Sequence, residues 1–382
     1  MFSDSFVNGK HIESWTFLLS LFVISFIVYK IYIYIYIKVD SSSFLPMHLF
    51  LFIICLLYGS VRSSEIICSS SDVSGIDLSG KQTTEEHVQA VIDFWTDERL
   101  KSAKPKSLLR VDSLSRKKDF NRQPTYLQKL KLDKYPVTVG KVFFVDGNNN
   151  YACSASVVTS DSKDMLFTAG HCVFSTTTSK YVKNFVFIPQ YNTKNRPYGT
   201  WPARCLYALS DWVTDRNYDY DVAVVLLHTV NGQHIQDVVG GQGVGFNHGH
   251  VAVIYAFGYP SNYYDGEIMT YCAATKMPRN YSNFHGDRLP CSMTHGASGG
   301  PWFESYDESK LSGIQTSVNS FIVDSDPNHV YGPHFDFVIQ RLYERVDNGT
   351  ETCPSRANNL VFSLTILFTL TFLQYLHISF MK

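Results

Sequence analysis

The chain has 382 residues, with 33 Lys and Arg against 34 Asp and Glu and a formal charge of −1, a balance that argues against nucleic acid as a partner. Charged residues make up 18% and hydrophobic ones 45%, which excludes wholesale disorder. Eight cysteines are too few to hold so long a chain by disulfides alone, and enough for a few bridges in a secreted protein.

Residues Thr16 to Ile37 are almost all apolar, interrupted by Lys30, and end in an alternating Ile-Tyr run from Ile31 to Ile37. A TA-dinucleotide repeat encodes such a run, so residues 1–46 read either as an over-extended gene model or as a signal-anchor helix. A second start at Met47 is followed by the apolar stretch His48 to Tyr58 and by Gly59-Ser60-Val61-Arg62-Ser63. This has the form of a signal peptide over residues 47–63, too short to span a bilayer comfortably and cleaved after Ser63.

Residues 64–134 carry none of the later motifs. Thr83 to Trp95 reads as a helix, with Thr83 as N-cap, Glu86 three residues on, and Val88, Val91, Ile92 and Trp95 on one face. From Lys101 to Lys134 eleven basic residues stand against three acidic ones. The segment reads as a pro-segment in which Arg116-Lys117-Lys118 invites proteolysis.

After Pro136, apolar stretches rich in Val, Phe and Tyr recur between Gly, Asn, Asp and Ser clusters: Val137 to Phe144, Asn184 to Ile188, Val222 to Leu227 and Val251 to Ala256. That texture predicts an all-β sandwich or barrel over residues 135–347. Residues 348–382 join a polar spacer, Asn348 to Asn359, to an apolar tail, Leu360 to Phe380. Two readings of that end stay open, a GPI-attachment signal and a tail-anchored helix. The expected location is secreted or on the outer face of the plasma membrane, attached, in either of the latter readings, through the C-terminal tail.

Three segments carry chemistry: Thr168-Ala169-Gly170-His171-Cys172, Asp219-Tyr220-Asp221-Val222-Ala223, and Thr294-His295-Gly296-Ala297-Ser298-Gly299-Gly300-Pro301-Trp302. A serine hydroxyl is a weak nucleophile unless a histidine takes its proton and a carboxylate fixes that histidine's tautomer. His171, Asp221 and Ser298 supply those groups in that order, and the glycines around Ser298 let backbone N–H groups of Gly296 and Ser298 form an oxyanion hole.

These segments resemble the His, Asp and Ser boxes of the trypsin-like (chymotrypsin-fold) serine peptidases, over about Pro136 to Leu342. Gly140 to Phe144, Pro197 to Pro202 and Met293 to Trp302 are more similar to the bacterial-type, glutamyl-endopeptidase-like branch. The resemblance implies two six-stranded antiparallel β-barrels with a C-terminal helix, a partly helical pro-segment, and a serine endopeptidase working through an acyl-enzyme. It implies disulfides Cys153–Cys172 and Cys272–Cys291, protein or peptide substrates, protease inhibitors as further partners, and no cofactor. It selects Asp221 over Asp219, because the family's carboxylate directly precedes a Val/Ile-Ala pair. Ala297 stands where many members carry an activating Asp, so activation through a new N-terminal amine is not implied. Ser292 and Gln315 stand where Asp and His would dictate Lys/Arg or Glu preference, so neither preference is implied. The rival function is a catalytically silent, protease-like binding module at the cell surface.

Three further features complete the reading. Cys68 and Cys205 are left as a pro-segment tether if Cys353 is removed with the tail. Asn280-Tyr281-Ser282 and Asn348-Gly349-Thr350 are N-glycosylation sequons at Asn280 and Asn348. His248-Gly249-His250 has no cysteine or carboxylate cluster beside it in sequence and reads as an exposed loop, so no metal is expected.

Overall fold

The computed structural model describes residues 66–70, 84–107, 109–111, 134–278 and 283–350. Expectations for residues 1–63, the Thr83 cap, Arg116 to Lys118, the Asn280 sequon and the tail from residue 351 lie outside them. No helix among the described residues is long and apolar enough to cross a membrane.

Six antiparallel strands form the first barrel: β1 Val139–Asp146, β2 Asn149–Val157, β3 Met165–Thr168, β4 Lys183–Pro189, β5 Trp201–Leu209 and β6 Ala223–Leu227. They run in the order β5-β6-β3-β2-β1-β4, and β4 pairs back onto β5 through Phe187 opposite Trp201 and Val186 opposite Pro202. Closure pairs every strand with two neighbours, but β3 covers only Ser156 and Val157 of β2 and leaves the earlier part of that edge open. The second half is one sheet of β7 Ala252–Gly258, β8 Thr270–Pro278, β9 Asp287–Pro290, β10 Pro301–Asp307, β11 Ser312–Val318, β12 Phe321–Val323 and β13 Asp326–Gly332. Its order is β11-β10-β7-β8-β9-β13-β12, antiparallel at every step. The chain thus adopts the expected all-β, chymotrypsin-like fold, with one barrel closed by the β4–β5 pairing, a second sheet and few helices.

The unbroken apolar runs are strands buried on both faces. On β1, Val142 and Phe144 point into the barrel core, while Val139, Phe143 and Val145 join an outer cluster with Val91, Trp95 and Leu100. Those last three sit on or beside α1 Thr84–Phe94 and α2 Asp97–Ser102, so the helix read from the sequence packs on the barrel wall. The Trp95 indole Nε1 donates to the Asn184 carbonyl at 2.7 Å. Burying so large an aromatic is worth about 2–3 kcal/mol, so α1 and α2 are held as part of the same packed unit.

β6 follows the same logic. Ala223, Val225 and Leu227 face the barrel interior, and Val222, Val224 and Leu226 face Ile339, Leu342 and Val346. These belong to α3 Phe337–Asp347, whose first turn is capped by Asp336 accepting from the Val338 and Ile339 N–H groups. Asn348 lies exposed just past this helix.

Candidate active site

His171 stands in a single 3₁₀ turn, Gly170–Cys172, directly after β3. The Cys153–Cys172 disulfide joins this turn to β2 with Cα atoms 6.4 Å apart. A Cβ on Gly170 would meet the Trp212 ring at 2.7 Å, which is why only glycine fits before the histidine.

Asp221 ends a second 3₁₀ turn, Tyr218–Tyr220, just before β6. On a strand, residues two apart such as Asp219 and Asp221 would share a face. The 3₁₀ turn separates them instead: Asp219 turns to His285, whose Nδ1 lies 2.7 Å from its Oδ2. The Asp221 carboxylate is fully buried and accepts the His171 backbone N–H on Oδ1 and meets His171 Nδ1 on Oδ2, each at 2.8 Å. Its Oδ2 also accepts the Ser320 hydroxyl. An ionised carboxylate only accepts, so Nδ1 carries the proton and Nε2 presents a lone pair.

Ser298 sits in the tight connection leading into β10, between Gly296 at φ +92° and Gly299 at φ +78°. A Cβ on Gly296 would lie 2.6 Å from the Tyr259 carbonyl. The turn is stitched to the first barrel, since the Ser154 N–H donates to the Ser298 carbonyl at 2.7 Å and the Ser154 hydroxyl donates to the Gly296 carbonyl at 2.9 Å. Ser154 follows Cys153 on β2, so one strand carries both the disulfide to the His171 turn and the contacts to the Ser298 turn. Ser298 is 0% and His171 2% exposed, and neither Ser298 Oγ nor His171 Nε2 has a hydrogen-bond partner among the described residues.

Three supporting residues were not singled out from the sequence: Ser154, Asn319 and Ser320. Asn319 is fully buried; its Nδ2 donates to the Phe257 and Ala297 carbonyls, both at 3.0 Å, and its Oδ1 accepts from the Trp302 indole at 2.7 Å. Each partner lies far away in sequence or is a backbone atom, so no local pattern marks these residues.

Cys272 and Cys291 are joined as expected, with Cα atoms 5.6 Å apart. Cys205 is also disulfide-bonded. It lies on β5, which pairs with strand Ile66–Ser70 carrying Cys68, while the side chain of Cys68 lies outside the described residues. Ser292 Oγ is 2.8 Å from Tyr263 Oη, and Gln315 is fully buried on β11.

The His248 to His250 loop differs from the sequence reading, because folding brings a carboxylate to it. His250 Nδ1 lies 2.6 Å from Asp287 Oδ1, and His334 Nδ1 lies 3.4 Å from Oδ2. The buried Lys276 ammonium already neutralises Asp287 at 3.2 Å, so a dication there would meet a fixed positive charge. Burial pushes the Asp287 carboxyl up, but its bonds to His334 and His250 and the Lys276 charge outweigh that and hold it below the usual range. A cavity of about 400 Å³ lined by Tyr135, Gln190, Tyr191, Tyr259 and Met269 contains none of His171, Asp221 and Ser298.

No protein-family model and no curated protein sequence matches the chain. Among solved structures, the protease Anisep from Arthrobacter nicotinovorans matches with a TM-score of 0.52 and 39% identity, over 56% of this chain and 98% of its own. A thermostable serine protease, AL20, from an extremophilic microorganism matches with a TM-score of 0.52 and 31% identity, again over 56% of this chain and 98% of its own. The disulfides suggest an extracellular or secreted protein. With that identity over almost the full length of two solved proteases, the chain belongs to the trypsin-like serine proteases and is a serine protease.

Proposed function

We propose that the protein is a secreted or surface-anchored serine endopeptidase whose catalytic residues are His171, Asp221 and Ser298. The observation that carries this reading is the buried Asp221 carboxylate, which holds both the backbone N–H and the Nδ1 of His171. That contact fixes the tautomer a proton-accepting Nε2 requires.

In the reaction, Ser298 Oγ bonds to the carbonyl carbon of the scissile peptide while its proton passes to His171 Nε2. The carbonyl oxygen becomes an oxyanion held by the N–H groups of Gly296 and Ser298. The tetrahedral intermediate collapses, the C–N bond breaks, and the leaving amine takes the proton from His171. The acyl ester on Ser298 is then hydrolysed. Water gives one proton to His171, its hydroxyl adds to the acyl carbon, and Ser298 leaves with the proton returned by His171. Asp221 stays ionised throughout and stabilises the imidazolium.

In this reading residues 47–63 are a signal peptide, residues 64–134 a pro-segment and residues 135–347 the peptidase domain. Asn348, exposed at the end of α3, is a glycosylation site, and residues 348–382 direct membrane attachment. Labelling by a fluorophosphonate probe tests the function. The processed protein is expected to label and Ser298→Ala to lose the label. Absence of label in processed wild type would leave a catalytically silent binding module.

A further inference from the structure

Gly296 N–H, assigned above to the substrate oxyanion, already has an acceptor: it donates to the carbonyl of Lys106 at 3.1 Å. One N–H makes one strong hydrogen bond, so no substrate carbonyl uses it while Lys106 is there. The contact is one stitch in a longer seam. Lys104–Pro105 pairs with Tyr151–Ala152 at the edge of β2, and the Lys106 N–H donates to the Ala152 carbonyl at 2.8 Å. Leu109–Val111 then pairs with Phe321–Val323, the strand β12 that starts directly after Ser320. The segment therefore crosses from the edge just before Cys153 in the first barrel to the edge just after Ser320 in the second sheet, and meets the Ser298 turn between them.

Side chains hold it there. Lys106 Nζ lies 2.7 Å from Asp146 Oδ2 and 4.5 Å from the centre of the Tyr151 ring. Upstream, Trp95 is sunk in the barrel wall, and its carbonyl accepts from Arg196 Nη2 at 2.6 Å. Two short strands bonded through their main chain to two open edges occupy what an extended peptide substrate would need.

We infer that the cleft over Ser298 is a docking surface for the chain's own residues Lys104–Lys106 and Leu109–Val111, which act as a resident inhibitor by placing the Lys106 carbonyl on the Gly296 N–H. The inference rests on the assignment of Gly296 and Ser298 made above. It also separates cutting from release: a cut at Arg116 to Lys118 leaves the inhibitory strand attached to its Trp95 anchor, so activity appears only when the strand itself leaves.

The test uses the full secreted chain with two sites for one sequence-specific protease, one after Ser102 and one within residues 112–118, so that cutting excises the strand and leaves α1 and α2 in place. Fluorophosphonate labelling of Ser298 is expected to rise at least tenfold on cutting, and to fall again on adding a synthetic peptide of residues 103–111. In the uncut chain, Lys106→Glu is expected to speed labelling in a protein that still unfolds cooperatively, and Lys106→Arg to leave it slow. Equal labelling of cut and uncut chains overturns this inference and leaves the protease reading intact. Absence of labelling in both overturns the protease reading and this inference with it.

Discussion

Asn319 holds the carbonyl of Ala297, the residue before Ser298, through its Nδ2 at 3.0 Å. Its backbone extends the same grip, since Gly299 N–H donates to the Asn319 carbonyl and Asn319 N–H donates to the Gly300 carbonyl, both at 2.8 Å. The Ser298 turn is thus clamped on both sides by one residue. Asn319→Ala removes the side-chain donor from the Phe257 carbonyl and the acceptor from the buried Trp302 indole, at roughly 1–3 kcal/mol for each unpaired group before relaxation, while the Ala297 carbonyl keeps the Gly300 N–H at 2.9 Å. A stability loss of about 3 kcal/mol and a fall in kcat/KM of about tenfold or more are expected. Asn319→Asp should be no better, because a carboxylate cannot donate to the two carbonyls. Urea unfolding and peptide hydrolysis by the activated protein check both effects; unchanged kcat/KM in a folded variant would detach Asn319 from the turn's geometry.

Ser320 gives Asp221 its third donor, beside the two from His171. Hydrogen bonds to charged groups are worth about 1.5–3 kcal/mol. Ser320→Ala is expected to lower kcat by about ten- to a hundredfold with KM little changed, because the bond orients Asp221 and touches no substrate. Steady-state kinetics separates the outcomes: a rise in KM at constant kcat would assign Ser320 to substrate binding instead.

The signals behind His171 and Ser298 were local. Glycine before the histidine and around the serine is forced by close approach and positive φ within a few residues, and the sequence displays it. Asp221 was harder, because two carboxylates two residues apart look alike until a 3₁₀ turn sends Asp219 to His285. Ser320 and Asn319 left no trace, since their bonds reach across the fold to partners that become neighbours only when the sheets form. His250 read as a bare loop because Asp287 is 37 residues away. The α1 helix was readable from its spacing, but not that Trp95 covers the outer face of β1. Least readable was Lys106, whose contact to Gly296 uses a backbone carbonyl that every residue has.

The Lys276–Asp287 pair is a buried charge contact with both side chains almost fully hidden. Removing one partner leaves the other charged in a low dielectric, a change that costs about 3–5 kcal/mol in comparable pairs. Lys276→Met alone and Asp287→Leu alone are each expected to destabilise by about that much, and the double variant to recover most of it. A double-mutant cycle in urea checks this; purely additive losses would show that packing, not charge, accounts for the site.

His228 lies where β6 leaves the first barrel, with its ring 5.7 Å from that of His87 on α1. Burial, with the charges of His87 and Arg204 adding to it, pushes His228 down from its ordinary 6.5 to about 4. Between those values the unfolded chain takes up a proton that the folded chain refuses, so stability is complete above about 6.5 and drains away as pH falls toward 4. Partial exposure of His228 trims the full linkage to about 1–2 kcal/mol. Because the ring contact joins α1 to the barrel, acid is expected to loosen the docking of the helix that anchors the inhibitory strand. Urea midpoints measured from pH 7 to pH 4 should fall in wild type and flatten in His228→Gln. Fluorophosphonate labelling of the uncut chain, taken relative to that of the chain with the strand excised at each pH, should rise over the same interval only in wild type. A labelling rate that ignores His228→Gln would separate the acid effect on stability from any release of the strand.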